Sequence, residues 1–368
     1  MTTSTGRSAD TGLYVHFPWC VKKCPYCDFN SHPLKDALPE AEYLAALHKD
    51  LHHQRPPVFS SVFFGGGTPS LFSASTFASL LSAADLAANA EVTMEANPGT
   101  AEHHSWEAYL ASGINRLSFG AQSFDNAALK RLGRIHSNDE TRTCVQNARA
   151  AGFTNLNLDL MYGLPQQSTD QALLDLKIAI DLEPDHISWY QLTIEPRTEF
   201  AGRPPPLPVD NVIEEMETEG VRLLADADFT RYEVSAYARP GKRCRHNLTY
   251  WTFADYLGVG AGAHGMRSGV QVLRTEKPRS PRLYLTDPTH TVTSGVSHTD
   301  VPVQFLMNVL RLVDGVPFTR FEEATGLALE HLLPTWQKNV DLGLVQPDRF
   351  ATTAFGYRHL DAVLQTFL

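Results

Sequence analysis

The chain has 368 residues, 43% of them hydrophobic and 20% charged, with a formal net charge of −10. That is enough apolar material for one large domain and a smaller one, and the acidic balance excludes nucleic-acid binding through bulk electrostatics. No apolar run approaches the ~18 residues of a membrane span, and the polar opening MTTSTGRSAD lacks the apolar centre of a signal peptide. The expectation is a cytoplasmic protein with at most peripheral membrane contact.

From residue 13 to about 195 short apolar runs alternate with helical patterns. Strands are expected over Leu13–Phe17, Val62–Phe64, Val92–Ala96, Arg116–Ala121, Leu156–Met161 and Ile187–Ile194. Helices are expected over Pro39–His53, Ala74–Ala88, Ala101–Ala111, Asn126–Leu132, Asp139–Ala151 and Thr169–Leu182. Such alternation implies parallel strands joined by right-handed crossovers. Glycine-rich and polar residues follow the strands, where barrels and open α/β sheets place ligands. A partial (β/α)6 barrel in the α/β class is favoured, although periodicity alone leaves an open sheet as the alternative.

Arg203–Pro208 is a stiff proline-rich break. A helix is expected over Val209–Ala227, short strands over 231–271 and a polar connecting loop over 272–300. Phe305–Val313, Thr319–Thr325 and Leu329–Val340 then read as helices, followed by extended Leu344–Gln346 and Phe350–Thr353 and a last helix near Tyr357–Phe367. That order suggests a smaller, mainly helical, winged-helix-like C-terminal domain. The expected organisation is a core over 1–200, a barrel extension over 201–290 and the C-terminal domain over 291–368.

The five cysteines are Cys20, Cys24, Cys27, Cys144 and Cys244. An odd number in a chain expected in the cytoplasm argues against a disulfide framework. The first three lie in Cys20-Val-Lys-Lys-Cys24-Pro-Tyr-Cys27. Three thiolates on one loop leave one iron of a cubane cluster without a protein ligand, an open position of the kind metal chemistry uses. Zinc is the plainer alternative, but zinc loops pair separated CxxC motifs or spaced histidines. Cys144 lies in a helical pattern and reads as a core residue.

This CxxxCxxC motif is similar to the signature of the radical S-adenosylmethionine (SAM) superfamily. The resemblance implies a [4Fe–4S] cluster on Cys20, Cys24 and Cys27, with SAM chelating the open iron. It also implies SAM-pocket roles for Tyr14 and Tyr26, for Gly66, Gly67 and Thr68 of Gly-Gly-Gly-Thr-Pro, for Glu95 as a ribose contact, and for Gln122, Arg134 and Asp159. Asp159 interrupts an apolar strand and so requires a partner or a solvated pocket, and Arg134 is the expected one.

Most of the chain resembles the coproporphyrinogen-oxidase-like branch, which contains the oxygen-independent oxidase and a haem chaperone. The oxidase pattern has a further cysteine where Phe29 stands, and a longer segment ahead of its cysteine loop than the nineteen residues before Cys20. Arg245-His246-Asn247-Leu248-Thr249-Tyr250-Trp251 resembles the chaperone's HNxxYW motif. The resemblance implies haem binding by His246, Asn247, Tyr250 and Trp251. His246 is suited to axial ligation, and Arg243 and Arg245 to pairing with propionates. A structural turn with Tyr250 and Trp251 in the core is the plainer reading of the same residues. Cys244 is a conceivable thiolate ligand, and His264, in a run of alternating glycines, either contacts a cofactor or packs. The expectation is therefore a haem chaperone that hands haem to recipient apoproteins, with a homodimer as a further candidate assembly and no oxidase activity. Oxidative decarboxylation of coproporphyrinogen III in porphyrin biosynthesis is the alternative.

Overall fold

The structure, a computed structural model, describes residues 11–54, 57–99 and 105–368. The polar opening and the first residues of the expected Ala101–Ala111 helix fall outside that range; the described part of that helix is Trp106–Ala111.

Six parallel strands form the centre of a twelve-stranded sheet: β1 (Gly12–Phe17), β2 (Phe59–Gly66), β3 (Leu86–Ala96), β4 (Arg116–Gln122), β5 (Leu156–Tyr162) and β6 (His186–Gln191). β7 (Thr230–Glu233) and β8 (Ala236–Ala238) extend it antiparallel beyond β6. On the other side β9 (Tyr256–Val259) pairs parallel with β1, and β10 (His264–Arg267), β11 (Leu273–Glu276) and β12 (Val292–Gly295) continue as an antiparallel meander. The sheet order is β12-β11-β10-β9-β1-β2-β3-β4-β5-β6-β8-β7.

Period-two alternation decides what each face does. Leu13, Val15 and Phe17, Val62 and Phe64, Val92 and Met94, Leu117 and Phe119, Leu158 and Leu160, and Ile187 and Trp189 all join one apolar core with the surrounding helices. The intervening residues, Tyr14, Ser61, Glu91, Glu95, Arg116, Ser118, Asn157, Asp159, His186 and Ser188, belong to the opposite face. Ser118, Asn157, Asp159, His186 and Ser188 are joined there by hydrogen bonds, whereas the buried Arg116 Nε has no hydrogen-bond partner. Helices Asn138–Ala150 and Thr169–Asp181 start on capping boxes, Ser137 with Glu140 and Ser168 with Gln171, which set their first turns.

Several expected boundaries change. The Ala74–Ala88 helix stops at Ser82, and the alanines beyond it enter β3 because Leu86 pairs with Phe59 across the sheet. Sheet pairing there overrides the helical preference of alanine. The expected loop over 272–300 contains β11, the helix Pro281–Thr286 and β12. These outer strands carry polar residues on both faces, which hides them from a pattern search. The last expected strand ends at Gln191 rather than Ile194.

The C-terminal domain has helices Val301–Val309, Thr319–Thr325 and Leu333–Asp341 and a two-stranded pairing of Val316–Pro317 with Arg349–Phe350. The expected Leu329–Val340 helix is split, with a 3₁₀ turn over Leu329–His331 and an α-helix that restarts with Pro334 in its first turn. The expected last helix is likewise two short ones, Ala354–Arg358 and Leu360–Gln365. Phe305, Phe321, Trp336 and Phe350 form the domain's core, which continues through Phe253 and Met266 onto the barrel extension. Among the described residues no helix is long and apolar enough to cross a membrane.

Candidate functional site

A cavity of about 650 Å³ opens at the C-terminal ends of the parallel strands. Cys20, Cys24 and Cys27 all line it, as free thiols on one loop. The loop is closed at its base where Trp19–Cys20 pairs with His32–Pro33, and turned inside by Cys27 N–H donating to the Cys24 carbonyl at 3.1 Å. Burial holds the Cys20 and Cys27 thiols above their ordinary range, so ligation must displace their protons. Among the described residues no three ligating side chains converge on a single ion position. Three thiols on one loop, all facing one cavity, match the donor set of a cubane with one open corner.

The other expected cofactor residues surround the same space. Tyr26, Gly66, Gly67, Thr68, Glu95, Gln122, Arg134 and Asp159 line the cavity. Gly67 is needed for a close approach, since a Cβ there would lie 2.5 Å from the Trp19 carbonyl oxygen. Gly66, at φ +111°, directs its N–H to Glu95 Oε2 at 3.0 Å. Thr68 is held by Asn97, whose amide donates to its hydroxyl at 2.8 Å. Gln122 ends β4 with φ +65° beside a bulge and accepts from the Tyr190 hydroxyl at 3.1 Å.

The expected Asp159–Arg134 pair does not form. Asp159 accepts from Ser118 and Asn157, each at 2.9 Å, and the buried cation near it is Arg116. Arg134 instead donates to Asn97, to the Gly120 carbonyl at 2.8 Å and toward Cys24 Sγ at 3.7 Å. It therefore braces the cysteine loop against β4. Burial is the main reason that Asp159 sits above the ordinary carboxylate range. Burial and then the neighbouring Asp159 push Glu95 up to about 8, against the opposing Gly66 hydrogen bond.

The helix Arg245–Trp251 closes the N-terminal end of the barrel interior. Glu91 caps it from β3, accepting from the backbone N–H of Arg245 and of His246, each at 3.1 Å. His246 is fully buried. Its Nδ1 meets Ser61 Oγ at 3.0 Å, its Nε2 meets the Tyr250 hydroxyl at 2.7 Å, and its ring stacks on Phe63. Burial followed by the Arg116 charge pushes it down to about 3, so it is neutral in the fold. Asn247 and Trp251 line the main cavity. Tyr250 and Trp251 line a second cleft of about 440 Å³, which shares Phe29, Gly66, Glu95 and Trp251 with the first. Tyr14 lines only the second cleft.

Three expectations for this region change. His246 faces neither cavity, because both ring nitrogens are taken by protein hydroxyls. Arg243 pairs with Asp314 at 3.0 Å, and Arg245 donates to the Asn89 carbonyl at 2.6 Å, so neither is directed at a ligand. Cys244 is fully buried, and its thiol approaches Glu91 at 3.5 Å. The glycine run after β9 does pack closely, since a Cβ at Gly262 would strike Asn30 and one at Gly260 would strike the His16 backbone.

Arg116, Ser118, Asn157, His186, Ser188 and Tyr190 form the polar barrel face and were missed in the sequence. They recur at every second position of β4, β5 and β6, a signal obscured because the strands were read as continuous apolar runs.

Three thiolates on one strand-end loop, with a glycine turn, buried carboxylates and a polar barrel interior beside them, define a radical SAM protein. The radical SAM superfamily matches residues 14–177, and the HemN C-terminal domain matches residues 296–350. "Heme chaperone HemW" of Escherichia coli (strain K12) is 44% identical over 97% of each chain, and that of Bacillus subtilis (strain 168) is 31% identical over 90% of this chain and 92% of its own. The chain belongs to this HemW family of radical SAM proteins. Coproporphyrinogen III oxidase (HemN) from E. coli matches with a TM-score of 0.81 at 22% identity, covering 97% of this chain and 90% of that one, which bears on the fold alone.

Proposed function

We propose that the chain is a haem chaperone: it binds haem beside a SAM-loaded [4Fe–4S] centre and hands the haem to recipient apoproteins. The carrying observation is the shared wall of the two cavities. Trp251 faces the cysteine cavity on one side and the aromatic cleft on the other, and Phe29 of the cysteine loop borders both. Arg311 of the C-terminal domain lies 4.3 Å over the Trp251 ring and pairs with Glu233, which ties that wall to the second domain.

Cys20, Cys24 and Cys27 would hold the cluster, and SAM bound to it supplies, when reduced, a route to an adenosyl radical. The protein's own part is positioning. Gly66 and Gly67 bring backbone close to the ligand, Glu95 accepts from a ribose diol, and Arg134 fixes the cysteine loop. Tyr250 and Trp251 present an aromatic surface to a flat macrocycle, Asn247 adds an amide on the cysteine-cavity side, and His246 holds the Tyr250 hydroxyl in place. A solvent-facing phenyl ring at Phe29, 60% exposed, stands where a further thiol would otherwise adjoin the cluster.

Reconstituted protein titrated with haem should give a saturable Soret shift, and under anaerobic reducing conditions it should convert no coproporphyrinogen III. Protoporphyrinogen formation would overturn the chaperone reading in favour of the oxidase.

Glu95 gives a second test, on SAM. Its pKa near 8 in the empty protein means that it is protonated at neutral pH. Accepting two ribose hydroxyls requires the carboxylate, so binding at pH 7 should release close to one proton from Glu95. Affinity should then fall about tenfold per pH unit below 8. The same raised pKa makes the empty fold lose stability as pH rises from the ordinary carboxylate range through 8. Calorimetry in buffers of different ionisation enthalpy counts the protons, and Glu95→Gln should release about one fewer than the parent, because the SAM ammonium gives up its own proton to chelate iron in both. Proton release unchanged in that variant removes Glu95 from the ribose site.

A further inference from the structure

His246 offers iron no free nitrogen: the ring is sealed inside the barrel and both nitrogens are already bonded. Freeing either one would break its bond to Ser61 or to Tyr250 inside the barrel. The aromatic cleft offers another imidazole. His264 projects from β10 into it with its side chain 62% exposed, and its Nε2 lies 4.0 Å from Glu276 Oε1, beyond hydrogen-bond distance. The cleft's body is Tyr14, Tyr250, Trp251, Phe253, Tyr256 and Met266, an apolar and largely aromatic lining.

Two guanidinium groups stand at the same cleft. Arg274 donates to the Tyr256 hydroxyl at 3.1 Å and to Gln304 Oε1 at 3.0 Å, both neutral partners, and lies 5.6 Å over the Phe253 ring. Arg279 is exposed at the rim. Among the described residues neither arginine makes an ion pair. A cation held by hydroxyl and amide groups keeps its charge available for an incoming carboxylate. Next to this cleft lies a space of about 540 Å³ that shares Tyr256, His264, Arg274 and Asn308 and runs out past the exposed Met307 of the C-terminal domain.

We propose that the iron of haem is ligated by His264, and that Arg274, with Arg279 at the rim, pairs with its propionates, the ring lying against Tyr250 and Trp251. The proposal rests on the haem-binding reading above and moves the ligand from the motif helix to β10. A ring-nitrogen lone pair binds iron and the propionates stay ionised, so no electron is transferred. His246 is then a positioning residue acting through Tyr250.

The test uses the full chain with reconstituted cluster, titrated with ferric protoporphyrin IX and separately with iron-free protoporphyrin IX. His264→Ala, at an exposed position, should fold normally, lose the imidazole-ligated Soret band, and bind the ferric porphyrin at least about tenfold more weakly. Added imidazole should restore the band. The same variant should bind iron-free porphyrin as the parent does. Arg274→Gln should weaken both porphyrins several-fold and leave the Soret position unchanged. An unaltered Soret band and affinity in His264→Ala overturns the ligand assignment, and unaltered affinity in Arg274→Gln overturns the propionate assignment. If the parent chain itself shows no saturable haem binding, the chaperone reading fails, a result distinct from either.

Discussion

Replacing any one of Cys20, Cys24 or Cys27 with alanine is expected to abolish the cluster while leaving the fold intact. The three side chains are only part-buried and face a cavity, so truncating them removes little packing. Two thiolates cannot retain a cubane that already lacks its fourth protein ligand, so iron should fall from about four to under one per chain after reconstitution. The visible charge-transfer absorption should vanish and SAM binding should weaken with it, because its chelating iron is gone. Cys144→Ala is the matching control. Cys144 is buried, donating to the Pro98 carbonyl at 3.0 Å, away from the cavity. That variant should lose modest stability and keep its iron. Iron and sulfide analysis decides the matter, and full iron retention in any single variant of the loop excludes that cysteine as a ligand.

Glu91→Ala should be among the most destabilising single changes in the chain. Glu91 is buried at the closed end of the barrel, receives two backbone N–H groups at the start of the helix Arg245–Trp251, and lies in the field of the buried Arg116. Removing it strands those donors and leaves Arg116 with less counter-charge, at a cost of about 3–5 kcal/mol. Urea denaturation should show that loss as a lower midpoint. Glu91→Gln keeps an acceptor for the helix and loses the charge, so it should fall between the parent and the alanine variant. Because the helix carries Tyr250 and Trp251, the folded fraction of Glu91→Ala should also bind haem less tightly. A cost below about 1 kcal/mol would mean that the helix end is satisfied in some other way.

The cluster loop was readable because its chemistry is local. Three thiols within eight residues must share a loop whatever the fold around them, and the glycine turn and Glu95 follow their strands closely enough to be placed at strand ends. The Asp159 partner was misassigned for the opposite reason. Arg134 is closer to the expected pocket in the motif order, but Arg116 stands on the same inward face of the adjoining strand, and only register makes that visible. The outer strands β11 and β12 were read as loop because polar residues on both faces erase the alternation on which a strand assignment depends.

By itself the sequence determined the class of protein, through three thiols within eight residues that no tertiary arrangement can separate and through glycines and carboxylates that follow their strands in order. Tertiary structure alone decided which of those residues meet. It buried His246 between Ser61 and Tyr250, turned Arg243 and Arg245 to protein partners, and brought His264 and Arg274 from the meander into the cleft beside Trp251. The availability of a nitrogen or a guanidinium to a ligand depends on what already bonds to it, and those partners lie up to 185 residues away in the chain.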